Sequence, residues 1–177
     1  MNHIRHYLFY FFFIILGCSP NVIDFSEITI VDDVCYYKRD MSKVTGKVIK
    51  HHNDGTLEQE FESISGHKDK VERYWHKNGQ LSDEINWSNN AKNGVEKSWY
   101  KNGQLKDEIH WNGGLKNGFK RHWHDNGQLA WESSFINGKQ DGVYREWRRG
   151  GMLCTEWTYK DGKSIDRKSW GPNGEEY

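Results

Sequence analysis

The stretch GVEKSWYKNGQLKDEIHW, residues 94–111, decides the fold of this protein, because related copies of it recur along the chain. Its central glycine returns every 24 residues, and once one residue early, at Gly55, Gly79, Gly103, Gly127, Gly151 and Gly174. A fixed period of this size is typical of repeat architectures, in which each copy is one small structural unit. We divide the chain into units 46–69, 70–93, 94–117, 118–141 and 142–165, with a partial unit at 166–177.

Several other residue types keep the same period, which excludes an accident of composition. The first series are Leu57, Leu81, Leu105, Leu129 and Leu153; Glu60, Glu84, Glu108, Glu132 and Glu156; and Trp75, Trp99, Trp123 and Trp147. Two more glycine series are Gly66, Gly114, Gly138 and Gly162, interrupted by Asn90, and Gly46, Gly94, Gly118 and Gly142, interrupted by Lys70. Asparagine tolerates the left-handed backbone that glycine adopts, so Asn90 fits its series.

The Asn-Gly pairs predict a β-hairpin in each unit. Asn78-Gly79, Asn102-Gly103 and Asn126-Gly127 lie between strand-forming residues, and Asp54-Gly55 and Gly150-Gly151 take the same place. Such pairs favour a two-residue turn with positive φ at both central residues. Residues equidistant from the turn then face each other, namely Lys97 and Glu108, Arg73 and Glu84, Arg121 and Glu132, and Arg145 and Glu156. Opposite charges in this position stabilise an antiparallel pair by roughly 0.2–1 kcal/mol.

This register assigns the side chains to two faces of a sheet. One face carries the charged pairs, the four tryptophans and an apolar series, Val71, Val95, Phe119 and Val143. The other carries Tyr74, Leu81, Ile85 and Trp87 and their equivalents in later units, and we expect it to be the better buried face because it is more apolar. A slip of one residue in register would exchange the two faces.

The fold predicted is all-β. After residue 24, no stretch keeps a 3.6-residue apolar period, and turn residues recur too often for a helix of ordinary length. We expect an elongated, antiparallel, single-sheet ribbon of tandem 24-residue hairpins. Five units of two strands would extend on the order of 50 Å and offer a long surface to a partner.

Two units carry a family resemblance. Residues 94–111 and residues 118–135, GFKRHWHDNGQLAWESSF, resemble the MORN repeat variant of bacterial proteins that are described as YwqK-type antitoxins of toxin–antitoxin systems. The resemblance implies a MORN-like array of hairpins. It also implies an antitoxin or immunity protein that neutralises a toxin by direct binding.

The amino terminus predicts export and lipid attachment. Arg5 and His6 precede the apolar run Tyr7 to Gly17, which has the length of a signal peptide and is too short to span a bilayer as a helix. The run ends in Ile15-Leu16-Gly17-Cys18, which looks like a bacterial lipobox, in which Cys18 is lipidated. An uncleaved anchor, or an ordinary signal peptide with an incidental cysteine, is the alternative.

The predicted signal peptide and lipobox imply a division of the chain into domains and a cellular location. Residues 1–17 are a signal peptide, residues 18–32 a tether with one short strand at Ile28–Val31, and residues 33–177 the repeat domain. The mature protein would be lipid-anchored in the cell envelope. Cys18 is followed by Ser19 rather than by Asp. In a bacterium with two membranes, this resembles the sorting pattern of lipoproteins of the outer membrane.

Composition and motifs exclude several functions. The chain has 25 Lys and Arg against 25 Asp and Glu, and this balance gives no electrostatic reason to expect nucleic acid as a partner. No nucleophile elbow, phosphate-binding glycine loop or zinc motif appears, so we expect no catalytic residues and no cofactor. His51-His52 and the pair His122 and His124 lack Cys or carboxylate partners at ligand spacing, which favours surface histidines over a metal site. Each ladder glutamate has a cationic partner, which favours structural ion pairs over acid–base catalysis.

Cysteines and tryptophans complete the candidate sites. Cys35 and Cys154 fall at opposite ends of the ribbon, so we expect free thiols. Exposed rows of Trp75, Trp99, Trp123 and Trp147 could anchor a protein partner, since tryptophan is frequent in interface hot spots. They could equally stack on cell-wall sugars, or pack only to hold the sheet together.

The leading hypothesis is a membrane-anchored, non-enzymatic, protein-binding or scaffold module, with an antitoxin and a polysaccharide-binding protein as alternatives. The oligomeric state stays open.

Overall fold

The computed structural model describes residues 21–177, so the predicted signal peptide, residues 1–17, and the predicted lipidation site Cys18 lie outside the described residues. The fold contains strands and one short 3-10 turn, Phe25–Glu27. The strands are β1 (Val22–Asp24), β2 (Ile28–Val31), β3 (Val34–Tyr37), β4 (Gly46–His51), β5 (Leu57–Ile64), β6 (His67–Trp75), β7 (Leu81–Ser88), β8 (Ala91–Lys92), β9 (Gly94–Trp99), β10 (Leu105–Asn112), β11 (Leu115–Trp123), β12 (Leu129–Ile136), β13 (Lys139–Trp147), β14 (Leu153–Lys160) and β15 (Lys163–Ser169).

One long sheet holds nearly all of these strands, as the sequence predicted. It has 13 strands in the order β1-β4-β5-β6-β7-β9-β10-β11-β12-β13-β14-β15, and β8 also pairs with β7. From β4 onward consecutive strands pair antiparallel, except that β7 pairs with both β8 and β9 and β8 does not pair with β9. Strand β1 pairs parallel with β4. The all-β ribbon of tandem hairpins is therefore confirmed.

The Asn-Gly turns differ from the prediction. Their asparagines do not have positive φ; only the glycines do, for example Gly79 at 81° and Gly103 at 84°. In the first of these turns the amide of Gly79 donates to the carbonyl of His76, and the amide of His76 donates to the carbonyl of Gln80. The connection is therefore a three-residue loop, a β-turn closed by one left-handed glycine, rather than the predicted two-residue turn.

A bulge next to each loop restores the predicted register. Trp75 pairs with Leu81, but Tyr74 pairs with Asp83, which leaves Ser82 as an extra residue. The same shift recurs in the equivalent hairpins. Because the bulge compensates for the odd loop, the four predicted charge pairs are all confirmed as Cα partners.

The two-residue turn with two positive φ values occurs at the other end of the units. Asn137 and Gly138 have φ values of 48° and 84°, and the pairs at 65–66, 89–90, 113–114 and 161–162 are similar. These turns also join neighbouring units, since the Gly138 amide donates to the carbonyl of Lys116 at 2.8 Å and the Gly162 amide to that of Gln140 at 2.8 Å. The second glycine series thus lies where tight turns contact the preceding unit.

The two faces of the sheet carry different side chains. We call the face with Arg73, Glu84 and their equivalents the ladder face. The opposite face, with Glu72, Trp87 and their equivalents, is called the cap face because residues 25–45 cover part of it. Leu81 was predicted to lie on the same face as Tyr74, and this is wrong: it pairs with Trp75 on the ladder face, because the bulge at Ser82 reverses the alternation. The same holds for Leu105, Leu129 and Leu153.

An N-terminal cap, residues 25–45, covers the first strands on the cap face. Val44 and Val48 are fully buried with Cys35 and Phe61 in one cluster. The hydroxyl of Ser63 donates to the carbonyl of Val44 at 3.0 Å, which fastens the cap to β5. The prediction that this face is the better buried one is therefore confirmed at the N-terminal end of the sheet.

The segment assigned to a tether contributes to this body from residue 21 onward. Val22–Asp24 adds β1 to the sheet, and Ile28–Val31 forms a strand that pairs with β3 in the cap. Within residues 21–177 there is no helix long and apolar enough to cross a bilayer.

Candidate binding surfaces

A ladder of ion pairs crosses the ladder face, and within the described residues it is interrupted once, between Glu84 and Lys97. Arg73 bonds Glu84 through Nε at 2.9 Å and Glu60 through Nη1 at 3.2 Å, so each interior cation can serve two strands. The other contacts of the ladder are Lys47–Glu60 at 2.5 Å, Lys97–Glu108 at 3.9 Å, Arg121–Glu108 at 3.4 Å, Arg121–Glu132 at 3.2 Å, Arg145–Glu132 at 3.6 Å and Arg145–Glu156 at 2.7 Å. The predicted cross-strand pairs therefore belong to a network that links successive units.

The predicted tryptophan row lies on the ladder face beside the three-residue loops. All four residues, Trp75, Trp99, Trp123 and Trp147, are half-buried. Each is the direct cross-strand partner of a leucine, so indoles and leucines alternate from strand to strand. The rings are therefore partly accessible, and each has a neighbour that supports it.

An exposed apolar patch lies on the same face at the opposite turns. Phe119 and Leu115 on β11 and Ile136 on β12 have exposed fractions of 44%, 51% and 53%. The guanidinium of Arg121 lies 4.5 Å from the centre of the Phe119 ring, and the His110 ring meets that ring edge-on at 6.4 Å. Sequence analysis placed Phe119 on this face but did not single it out, because its equivalents are the smaller Val71, Val95 and Val143.

On the cap face, Glu72 forms a buried polar network. Its side chain is 1% exposed. Its donors are Lys68 Nζ at 2.5 Å, Gln59 Nε2 at 2.7 Å, Trp87 Nε1 at 2.8 Å and the Tyr74 hydroxyl at 2.9 Å. Burial and the adjacent Glu72 carboxylate raise the pKa of Tyr74, so the phenol stays protonated and can keep donating. Four donors compensate the charge of this buried carboxylate, and loss of one would leave it less satisfied, so we assign the network a structural role.

Lysines and aromatic rings alternate along the cap face. The ammonium of Lys92 lies 5.9 Å from the Trp87 ring centre and 4.9 Å from that of Trp111. Lys116 continues the row between Trp111 at 5.9 Å and Phe135 at 5.3 Å. Cation–π contacts of this kind are worth about 0.5–1 kcal/mol at exposed sites. The rings that make such contacts are therefore not those of the predicted tryptophan row.

A set of hydrogen bonds between units escaped the sequence analysis. The residue three places before each loop glycine reaches a main-chain oxygen of the next unit. Tyr100 donates to the carbonyl of Trp123 at 2.7 Å, and His76 Nε2 lies 3.3 Å from the carbonyl oxygen of Trp99. The other members are His52 to Trp75 at 3.1 Å, His124 to Trp147 at 3.4 Å and Arg148 to Trp170 at 3.1 Å. These positions share only the ability to donate, so no residue type marks the series.

Of the four histidines considered for metal binding, three have other partners, namely His52, His122 and His124. His122 Nδ1 lies 2.8 Å from Asp107 Oδ1, and its ring stacks on Trp131 at 5.7 Å. His124 belongs to the hydrogen bonds between units described above. Across residues 21–177, no group of three or more His, Cys, Asp or Glu side chains is arranged to hold a metal ion. Cys35 and Cys154 are free thiols, and burial raises the pKa of Cys35.

Comparison with protein families identifies the repeat. Residues 68–89 and 92–112 each match the family model of the MORN repeat variant. The chain contains MORN repeats. Each matched segment corresponds to one loop hairpin of the sheet, β6–β7 or β8–β10, and hairpins outside these segments keep the register of the MORN repeats. No curated protein matches the sequence significantly.

Proposed function

We propose that this protein is a non-enzymatic binding module, held at the bacterial cell envelope through Cys18, whose ladder face binds a protein partner. One observation carries the proposal. The elements outside the long sheet, the 3-10 turn with β2 and β3, lie on the cap face, so the described chain leaves the ladder face uncovered while Phe119, Leu115 and Ile136 are exposed there. An exposed apolar patch on the same face as a row of half-buried tryptophans is typical of a protein-binding surface.

The charge ladder supports the same role. Alternating guanidinium and carboxylate groups satisfy one another, so a partner can cover them without leaving an isolated charge buried. The hairpins hold the row of Trp75, Trp99, Trp123 and Trp147 on consecutive units, which limits the conformational entropy that binding would cost. An extended partner surface would suit this arrangement better than a small ligand.

Partner binding is tested with paired variants. Proteins that co-purify with the full chain from native membranes are identified and then measured for binding to the purified wild type. Phe119→Lys is expected to weaken that binding by about tenfold or more, since it removes one apolar anchor and introduces an unpaired charge. Ile165→Lys on β15 is the matched control, because Ile165 is 66% exposed but lies away from the patch.

Equal binding by Phe119→Lys and wild type would remove the patch from the interface. The tryptophan row is tested in the same way, by measuring partner binding after replacement of Trp75, Trp99, Trp123 and Trp147 in turn. If no replacement alters binding, the ladder face is not the partner surface.

Lipid attachment is tested separately with a palmitate analogue. Wild type is expected to incorporate the label, Cys18→Ala to lose it, and Cys154→Ala to keep it. Retention of the label by Cys18→Ala would contradict the anchor.

The family resemblance makes a toxin one class of partner for this surface. Co-expression with a toxic neighbouring gene is expected to restore growth with wild type and not with Phe119→Lys. Failure of wild type to restore growth would count against an antitoxin and leave the binding measurement above unaffected.

A further inference from the structure

The cap face has a cleft where side chains are shorter than those of the neighbouring strands. One row of direct cross-strand partners runs Gln59, Tyr74, Asp83, Ser98, Asp107, His122 and Trp131. The middle three residues of this row are short, and a cleft of about 390 Å³ lies there, lined by them and by Glu96, Lys106 and Lys120. Such a volume is at the lower end of the range for small-ligand sites.

The preceding unit shows what the cleft lacks. Residues Gln59, Glu72 and Tyr74 form the closed network described above, and their equivalents one unit on are Asp83, Glu96 and Ser98. Replacing tyrosine by serine removes a ring, and replacing glutamine by aspartate removes a donor and adds a second carboxylate. Trp111 Nε1, the equivalent of the Trp87 atom that bonds Glu72, is buried without a hydrogen-bond partner among residues 21–177.

The carboxylates that line the cleft differ in how many hydrogen-bond or ion-pair partners they have. Asp107 accepts from the Ser98 hydroxyl at 2.9 Å and contacts His122 at 2.8 Å, while Glu96 is bonded by Lys92 at 2.6 Å. In the described part of the chain, the Asp83 carboxylate makes neither a hydrogen bond nor an ion pair, although its main chain pairs with both neighbouring strands. The ammonium of Lys120 lies 5.0 Å from the centre of the Trp131 ring, and that of Lys106 lies 5.9 Å from the centre of the Tyr100 ring.

We propose that this cleft binds an alkylguanidinium group between Asp83 and Asp107. These residues flank Ser98 on the strands either side of β9, so their Cα atoms are about 10 Å apart. A guanidinium presents donors on two edges of one plane and can bridge two carboxylates, whereas a compact ammonium cannot.

Two sources could supply this group. One is an arginine side chain of a protein, and the other is free arginine, whose carboxylate would meet Lys106 and Lys120. The site lies on the face opposite the ladder face, so its outcome is independent of the protein-binding role proposed above.

The test is a titration of the ¹⁵N-labelled full chain, purified in detergent, with N-acetyl-arginine methylamide. Saturable amide shifts are expected at residues 82–84, 96–99 and 106–108. The neutral N-acetyl-norleucine methylamide is expected to cause none. Absence of saturable shifts, or equal shifts with the neutral compound, would overturn the proposal.

Two variants taken from the repeats themselves sharpen the test. Ser98→Tyr copies Tyr74 into the cleft, where Glu96 can accept its hydroxyl as Glu72 does for Tyr74, so the fold is retained while the space is filled. Asp83→Asn removes the unsatisfied charge. Each is expected to weaken binding by about tenfold or more, Ser98→Tyr because its ring occupies the space of the ligand and Asp83→Asn because a charge-assisted hydrogen bond is lost.

Matched controls lie outside the cleft. Ser88→Tyr places the same side chain at an exposed strand end, and Asp161→Asn makes the same charge change where Asn137 stands in the preceding unit. Both are expected to bind as wild type does. Undiminished binding by Ser98→Tyr would show that the guanidinium does not occupy the cleft.

Free L-arginine decides between the sources. Tighter binding of free arginine than of the blocked compound would identify a small-molecule ligand. Equal or weaker binding would identify an arginine side chain of a protein.

Discussion

At the scale of single residues, the contacts between units depend on hydrogen-bonding capacity more than on residue type. His52, His76, Tyr100, His124 and Arg148 occupy one position of the repeat, and each reaches a main-chain oxygen of a tryptophan, one unit on. A carbonyl oxygen can only accept, so every one of these side chains acts as a donor. The position therefore contributes to the cohesion of the ribbon although its chemistry varies.

Tyr100 is the clearest member to test. Tyr100→Phe removes the 2.7 Å hydrogen bond to the Trp123 carbonyl and keeps the ring, so the free energy of unfolding in urea should fall by about 1 kcal/mol. Tyr37→Phe is the control, because it deletes a hydroxyl in the cap and keeps the ring beneath Arg39. Identical unfolding midpoints for Tyr100→Phe and wild type would show that this contact contributes nothing.

At the scale of the hairpin, each unit uses two kinds of turn with different roles. The three-residue loop and its bulge set the register of the charge ladder, and the two-residue turn at the other end bonds to the preceding unit. A third irregularity lies in the strand that follows the two-residue turn, where Gly142 has φ of 98° opposite Ser134. There the sheet brings a strand backbone close to a side chain of its neighbour.

Two glycine replacements separate conformational strain from close packing. A Cβ on Gly142 would lie 2.5 Å from the Ser134 hydroxyl oxygen, whereas one on Gly55, at φ of 85°, would meet nothing within 4 Å. We expect Gly55→Ala to lower the free energy of unfolding by about 1 kcal/mol through strain alone. Gly142→Ala should cost about 2 kcal/mol or more, because it adds a collision. Urea unfolding measures both, and equal losses would contradict the close approach.

At the scale of the whole molecule, the protein is a one-dimensional array of repeats with a cap over its N-terminal end. Apart from β1, and from β7, which pairs with β9 as well as β8, each strand of the long sheet pairs only with strands next to it along the chain. The largest buried cluster lies under the N-terminal cap. Stability should therefore be close to a sum over units and their junctions.

Removing one unit tests this description. Deletion of residues 118–141 joins Asn117 to Gly142, so that Arg145 takes the place of Arg121 opposite Glu108. The shortened protein should keep its β circular dichroism and unfold in urea with a smaller dependence on denaturant, because less surface is buried. Deletion of residues 118–129 removes half a unit, reverses the direction of every later strand, and should abolish folding. Similar behaviour of the two deletions would refute additive units.

The sequence by itself determined the period, the strand content and the register. These are local properties, since the strands that pair are close in the chain and the positions of Arg73 and Glu84 relative to the turn can be counted. It did not determine the turn type. A two-residue turn, and a three-residue loop followed by a bulge at Ser82, place those charges opposite each other equally well.

Only the tertiary structure decided which surfaces are covered, filled or open. The cap folds onto β4–β6 through contacts such as Ser63 to Val44, which no period of 24 residues encodes. The cleft beside Asp83 arises because Tyr74 and Ser98, equivalent in the repeat, differ in volume, and its lining comes from strands of different units. The pairing between units, such as Asp83 with Ser98, must be known before such a gap can be seen, and it follows only from the assembled sheet.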